Sequence, residues 1–290
     1  MLSSTSSKSI PVSHTNTGAR TWLGNPNGIT YTGMNISNGD LYAVNMTRTS
    51  LYRLTALSAS VATLTSVYAI TRFQESLTYS FSVAPNGMCI YGGASKAVVA
   101  VGGAYGSTET TIFTYTGSGL CTCLNPAGTT LYFTTNDWVI RRLNYSGSSW
   151  SEGTPVADLY ALGIYDHKPS ALGTDSTGNV YCICIDQSFV GLTPLILAIV
   201  SPGGTLTATY TSTVATADAQ TKINMALDGN IIWFSLETSV PYTTKLYKWV
   251  IGGPDSLILG SNSGSVHVHP ASRTVYVAIP TTLTLLDPNY

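Results

Sequence analysis

Residues Asn125-Pro-Ala-Gly-Thr-Thr-Leu-Tyr132 join a tight-turn signal to a short apolar strand ending on an aromatic ring, and five other stretches align with them. These are Ser37-Asn-Gly-Asp-Leu-Tyr42, Ala84-Pro-Asn-Gly-Met-Cys-Ile-Tyr91, Asp175-Ser-Thr-Gly-Asn-Val-Tyr181, Leu227-Asp-Gly-Asn-Ile-Ile-Trp233 and His269-Pro-Ala-Ser-Arg-Thr-Val-Tyr276. The aligned aromatics, at positions 42, 91, 132, 181, 233 and 276, lie 41 to 52 residues apart. A period of that length repeats one supersecondary unit that cannot bury its apolar face alone, so neighbouring units must stack. The recurrent Gly reaches positive φ without steric cost, which tight connections between antiparallel strands require.

The segment before each turn supplies a first strand, as in Leu120-Cys-Thr-Cys-Leu124 and Val266-His-Val-His269. The aromatic-bearing strand is second, and a third follows, as in Ala97-Val-Val-Ala-Val101 and Leu195-Ile-Leu-Ala-Ile-Val200. A fourth alternates apolar and hydroxyl residues, as in Thr205-Leu-Thr-Ala-Thr-Tyr210, the pattern of a half-exposed outer strand. In the last unit only Asp287-Pro-Asn-Tyr290 follows Thr282-Leu-Thr-Leu-Leu286, so an outer strand is missing. Strand material near Ala19-Arg-Thr-Trp-Leu23 or Ile29-Thr-Tyr31 is expected to complete that unit and remove an open sheet edge. The pattern resembles an all-β, six-bladed β-propeller with four antiparallel strands per blade, the last blade completed by an N-terminal strand. Residues 1–18 then form a flexible or anchoring arm, and 19–290 a single propeller domain. The Trp-Asp ending of WD repeats is absent, and no kelch Gly-Gly doublet recurs at a fixed register.

Composition narrows the function. Only 9% of the 290 side chains are charged, 44% are hydrophobic, and the net charge is -1. Helices with exposed Lys, Glu and Arg faces are not expected from such a chain, nor is the basic footprint of a nucleic-acid binder or a polybasic membrane-surface protein. Met1 to His14 hold no apolar run of signal-peptide length, and no stretch reaches the ~20 apolar residues of a membrane helix. The expectation is synthesis in the cytoplasm without a signal peptide, and no membrane insertion. Four of the five cysteines form the Cys-x-Cys pairs Cys121/Cys123 and Cys182/Cys184. Alternate residues of one strand make poor disulfide geometry, so free buried thiols in a reducing compartment are expected, with a soft-metal site the other reading.

The search for chemistry returns few residues. His267 and His269, alternate positions of one inner strand, would emerge on one face near the central channel, and are the weak candidates for a metal; the bland reading is channel-lining imidazoles. Glu75, Glu109, Glu152 and Glu237 fall in four units at dissimilar places, and Asp175 and Asp228 sit in turns where a carboxylate can accept backbone N–H groups. There is no Gly-x-Ser-x-Gly elbow, no sialidase Asp-box and no Asp-x-Asp-x-Asp-Gly calcium loop, and Val101-Gly-Gly-Ala-Tyr-Gly106 lacks the helix a phosphate loop needs. No catalytic residue and no cofactor is expected. Among the aromatics, the aligned Tyr residues are expected to pack between sheets, while the loop residues Trp150, Tyr165 and Tyr242 are recognition candidates.

A chain poor in charge and rich in Ser, Thr, Gly, Asn and Tyr, with a Ser/Thr-rich N-terminal arm, resembles virion components of tailed bacteriophages, though no specific family is identified. That resemblance implies a non-enzymatic structural or adhesive propeller in a phage tail or capsid surface. Its partners would be other virion proteins or a host-surface glycan, in a multi-chain assembly. The alternatives are a propeller hydrolase or lactonase at the channel mouth, metal-assisted through His267 and His269, and a glycan-binding lectin.

Overall fold

The computed structural model describes residues 7–14, 20–23, 29–45, 47–55, 61–74, 81–117, 120–189, 191–239, 242–260, 264–279 and 282–286. Two strands open the chain, β1 (Ser7–His14) and β2 (Arg20–Leu23). An antiparallel meander follows, of β3 (Ile29–Met34), β4 (Leu41–Asn45), β5 (Ser50–Thr55) and β6 (Val61–Ala69). The next meander is β7 (Ser82–Val83), β8 (Cys89–Gly93), β9 (Ala97–Val101) and β10 (Thr110–Thr114). Then come β11 (Cys121–Leu124), β12 (Thr130–Thr134), β13 (Val139–Tyr145) and β14 (Trp150–Glu152), with β15 (Ala157–Asp158) also paired to β13. The fourth is β16 (His167–Thr174), β17 (Val180–Asp186), β18 (Thr193–Val200) and β19 (Leu206–Ala217). The fifth is β20 (Lys222–Asp228), β21 (Ile231–Ser239), β22 (Tyr242–Val250) and β23 (Asp255–Leu259). β24 (Ser265–Val268), β25 (Val275–Ile279) and β26 (Thr282–Leu286) end the described chain.

The architecture is an all-β propeller, and among the described residues its strands form five sheets rather than the six separate blades expected. The difference has one cause. Strand β2 pairs antiparallel with β26, so the last strand does not end in an open edge. Strand β1 pairs with β2 through Val12–His14 and with β6 through Ser7–Pro11. That double pairing fuses both ends of the chain into one nine-stranded sheet, in the order β24-β25-β26-β2-β1-β6-β5-β4-β3. Part of the expected arm is therefore strand, while 1–6 and 15–18 lie outside the described residues.

The core lies between sheets. Tyr42, Val44 and Leu51 pack on Tyr91, Val99 and Val101; Ile183, Leu197 and Ile199 pack on Ile223, Phe234 and Trp249. Tyr42, Tyr91, Tyr132, Tyr181, Trp233 and Tyr276 are all buried, as their repeated position predicts. All five cysteines are free; Cys121, Cys182 and Cys184 join one apolar cluster, where burial pushes each thiol up and out of its reactive range. The turns share one device. Asn45 Oδ1 accepts the N–H groups of Thr49 and Ser50, Asn125 Oδ1 those of Thr129 and Thr130, and Asp175 Oδ1 those of Thr177 and Asn179.

Candidate functional site

Strands β3, β7, β11, β16, β20 and β24 each contribute residues to one axial cavity of about 310 Å³. This is the lower end of small-molecule pocket volumes. Its wall mixes hydroxyl, amide and apolar groups, because alternate residues of an inner strand face the axis and their neighbours face the adjoining sheets. The polar groups hold one another: Ser82 Oγ and Thr122 Oγ1 are 3.1 Å apart, and Asn224 Oδ1 accepts the Val266 N–H at 2.6 Å. At one mouth Arg273 pairs with the buried carboxylate of Asp228, tying the turn after β24 to the end of β20.

His267 and His269 have separate partners. His267 is buried on β24, and its Nε2 shares a 2.8 Å hydrogen bond with Thr32 Oγ1 of β3. Burial pushes its pKa down to about 3, so the imidazole is neutral. His269 lies just past the strand, where Nδ1 accepts the N–H groups of Ala271 and Ser272. Each imidazole thus spends a ring nitrogen inside the protein. Among the described residues no three His, Cys, Asp or Glu side chains gather as a metal site.

Glu109 and Asp175 are bound into the scaffold, while Glu152 is exposed at the end of β14. Glu109 accepts the Thr71 N–H and hydroxyl, the Arg72 N–H and the Tyr91 hydroxyl, fastening the segment after β6 to the second sheet. Asp175 accepts the Tyr181 hydroxyl besides its turn N–H groups. Burial alone would raise both carboxyls, yet these hydrogen bonds hold them below their ordinary range. Glu75 lies outside the described residues.

The recognition candidates separate. Trp150, at the start of β14, is half-buried and packs against Tyr145 with centroids 4.9 Å apart and ring planes tilted by 31°. The side chain of Tyr242 lies outside the described residues. Tyr165 is 58% exposed and belongs to a corner of rings: it meets Tyr160, 52% exposed, at 5.0 Å and 80°, and Tyr160 meets Trp138 at 5.5 Å and 72°. Lys168 Nζ sits 4.6 Å above the Trp138 ring. Sequence reading missed Trp138, Tyr160 and Lys168. The legible signal was Tyr160-Ala-Leu-Gly-Ile-Tyr165, two rings bracketed by turn residues in a connection between strands.

No family model matches the sequence, and no curated protein matches it. Solved structures do. Kuenenia stuttgartiensis hydrazine synthase superposes with a TM-score of 0.58 at 14% identity, covering 91% of this chain and 78% of that one. The β-propeller domain of Myceliophteria thermophila Cps50 (Swd1) gives 0.53 at 11%, covering 98% of both chains. YCF48 bound to D1 peptide gives 0.53 at 10%, covering 96% of this chain and 99% of that one. None of these three is a phage component, and the phage resemblance finds no support in them. Identities this low speak for architecture, and what they show is that the chain is similar to β-propellers of diverse roles.

Proposed function

We propose that the protein is a non-catalytic propeller that works by holding partners: a structural or adhesive component of a larger assembly, in keeping with the virion-like composition. The observation that carries this reading is how the chemically capable side chains are spent. His269 and Asp175 cap turns, Glu109 staples two sheets, and His267 is neutral and bonded to Thr32. The ring of inner strands supports counting the nine-stranded sheet as two repeats bridged by β1, for a six-repeat scaffold. Such a ring offers broad faces for neighbours. The test is the mass of the native assembly from its source, with co-purifying chains identified by mass spectrometry. Stoichiometric partner chains are the expected result, and a clean monomer overturns the reading.

A further inference from the structure

Three segments of the third and fourth sheets meet at the ring corner: the turn after β12, the connection from β15 into β16, and the loop after β17. The Leu159 N–H donates to the Trp138 carbonyl, and the Gln187 N–H donates to the Asp166 carbonyl. The connection is built to hold its shape. Asp158 Oδ1 accepts the N–H groups of Tyr160 and Ala161, the Gly163 N–H reaches Tyr160 O, and the Ile164 N–H reaches Leu159 O. Leu159 and Ile164 are buried anchors in the apolar cluster between these sheets, yet the tyrosines beside each of them, Tyr160 and Tyr165, point out. The loop of residues 159–165, with two buried anchors and its own hydrogen-bond net, thus presents two rings to water at fixed, nearly perpendicular angles.

Rings held exposed in a preordered frame lose little entropy when they bind, which is the condition under which a small contact gives measurable affinity. Phe189 and Leu192 are also exposed, 55% and 43%, in the loop after β17. Even so, a few side chains are far short of the roughly 20 to 30 residues per side of a stable protein interface. The polar groups around the rings are hydroxyl partners: the tyrosine O–H groups, exposed Asp166 and half-buried Gln187. The acids Asp158, Asp166 and Asp186 outnumber Lys168 here, and the Lys168 ammonium already lies on Trp138, so an anionic ligand is disfavoured.

We propose that the Trp138–Tyr160–Tyr165 corner is a binding site for a neutral pyranose oligosaccharide, whose C–H faces stack on the two tyrosines while Asp166 and Gln187 take its hydroxyls. This rests on the reading of the protein as adhesive rather than catalytic. The test is titration of the intact chain with cellohexaose, chitohexaose and maltohexaose, followed by intrinsic fluorescence and by chemical shifts. The expected result is saturable binding of at least one probe, weakened at least 10-fold by Tyr160→Ala and by Tyr165→Ala, each with an unchanged melting temperature. Tyr165→Phe, which keeps the ring, retains most of the affinity. Absence of saturation by all three probes, or binding that survives both alanine variants, overturns the site. Native assembly mass separates the two proposals. An alanine variant that drops partner chains from the assembly without any probe binding reassigns the corner to protein contact; saccharide binding by a monomer keeps the site and removes the assembly reading.

Discussion

His267 is an imidazole that burial keeps neutral, and that makes it the residue whose titration is easiest to foresee. Its pKa is about 3 in the folded chain against about 6.5 unfolded, so the unfolded state binds the extra proton between those values. Stability is fully present above pH 6.5 and falls with pH toward 3, by about 3 kcal/mol between pH 6.5 and 4. His267→Gln keeps a partner for Thr32 and does not titrate, so its urea midpoint is expected to fall less over that range than that of the parent chain, leaving only the loss from carboxyls held low, such as Glu109 and Asp175. Asp255 is the reverse case. Burial alone would raise it, but the Ser212 hydroxyl, the backbone N–H groups of Thr213, Val214 and Ala215, and the Thr213 hydroxyl all donate to it and hold it low. Asp255→Asn puts a donor among donors, and a loss of roughly 2–4 kcal/mol in denaturant unfolding is expected. Gly204 marks a third limit: at φ +83° an added Cβ would lie 2.3 Å from the Val156 carbonyl oxygen, a backbone atom that cannot swing away. Gly147, at φ +97°, has open space. Thermal melts should therefore show Gly204→Ala well below Gly147→Ala. The turn roles of Asp175 and the aligned aromatics were legible in the sequence because each recurs with the repeat. The roles of His267 and Asp255 were not, because their partners sit 235 and about 40 residues away and only the folded ring brings them together.

Strands β1 and β2 carry the closure at the scale of elements. The need for an N-terminal strand was readable from what the last repeat lacks, and β2 pairs with β26 where that strand was required. The second pairing of β1, to β6, was not readable. Ser7–His14 has no aligned turn and little apolar alternation, and its pairing with β6, about fifty residues along the chain, is not signalled by the repeat. Deleting residues 1–23 strips both strands and leaves β26 and β6 each with an unpaired edge. The expected outcome is a melting temperature lower by about 10 °C or more, with concentration-dependent aggregation seen by light scattering, since a loss of several kcal/mol moves a domain of this size by that much. An unchanged melting temperature would show that the ring closes without them.

For the molecule as a whole, the distribution of the core decides what the surroundings can do to it. Apolar clusters fill the gaps between successive sheets, from Tyr42 against Tyr91 round to Trp233 against Val266 and Val277. The charged side chains are few, and the ion pairs Arg53–Asp40, Arg141–Asp137 and Arg273–Asp228 each have at least one partner open to water. Pairs of that kind contribute on the order of 0–1 kcal/mol and are screened by salt, whereas inter-sheet packing is not. The melting temperature is therefore expected to change by less than about 3 °C between 20 mM and 1 M sodium chloride. Arg273–Asp228 is where this expectation is most exposed, because it bridges β20 to the turn after β24 and its carboxylate is buried. A large salt-induced drop that Arg273→Gln abolishes would place part of the ring's cohesion in that pair. A flat profile in both chains would leave the cohesion with the packed sheets and with the strands that join the two ends of the chain.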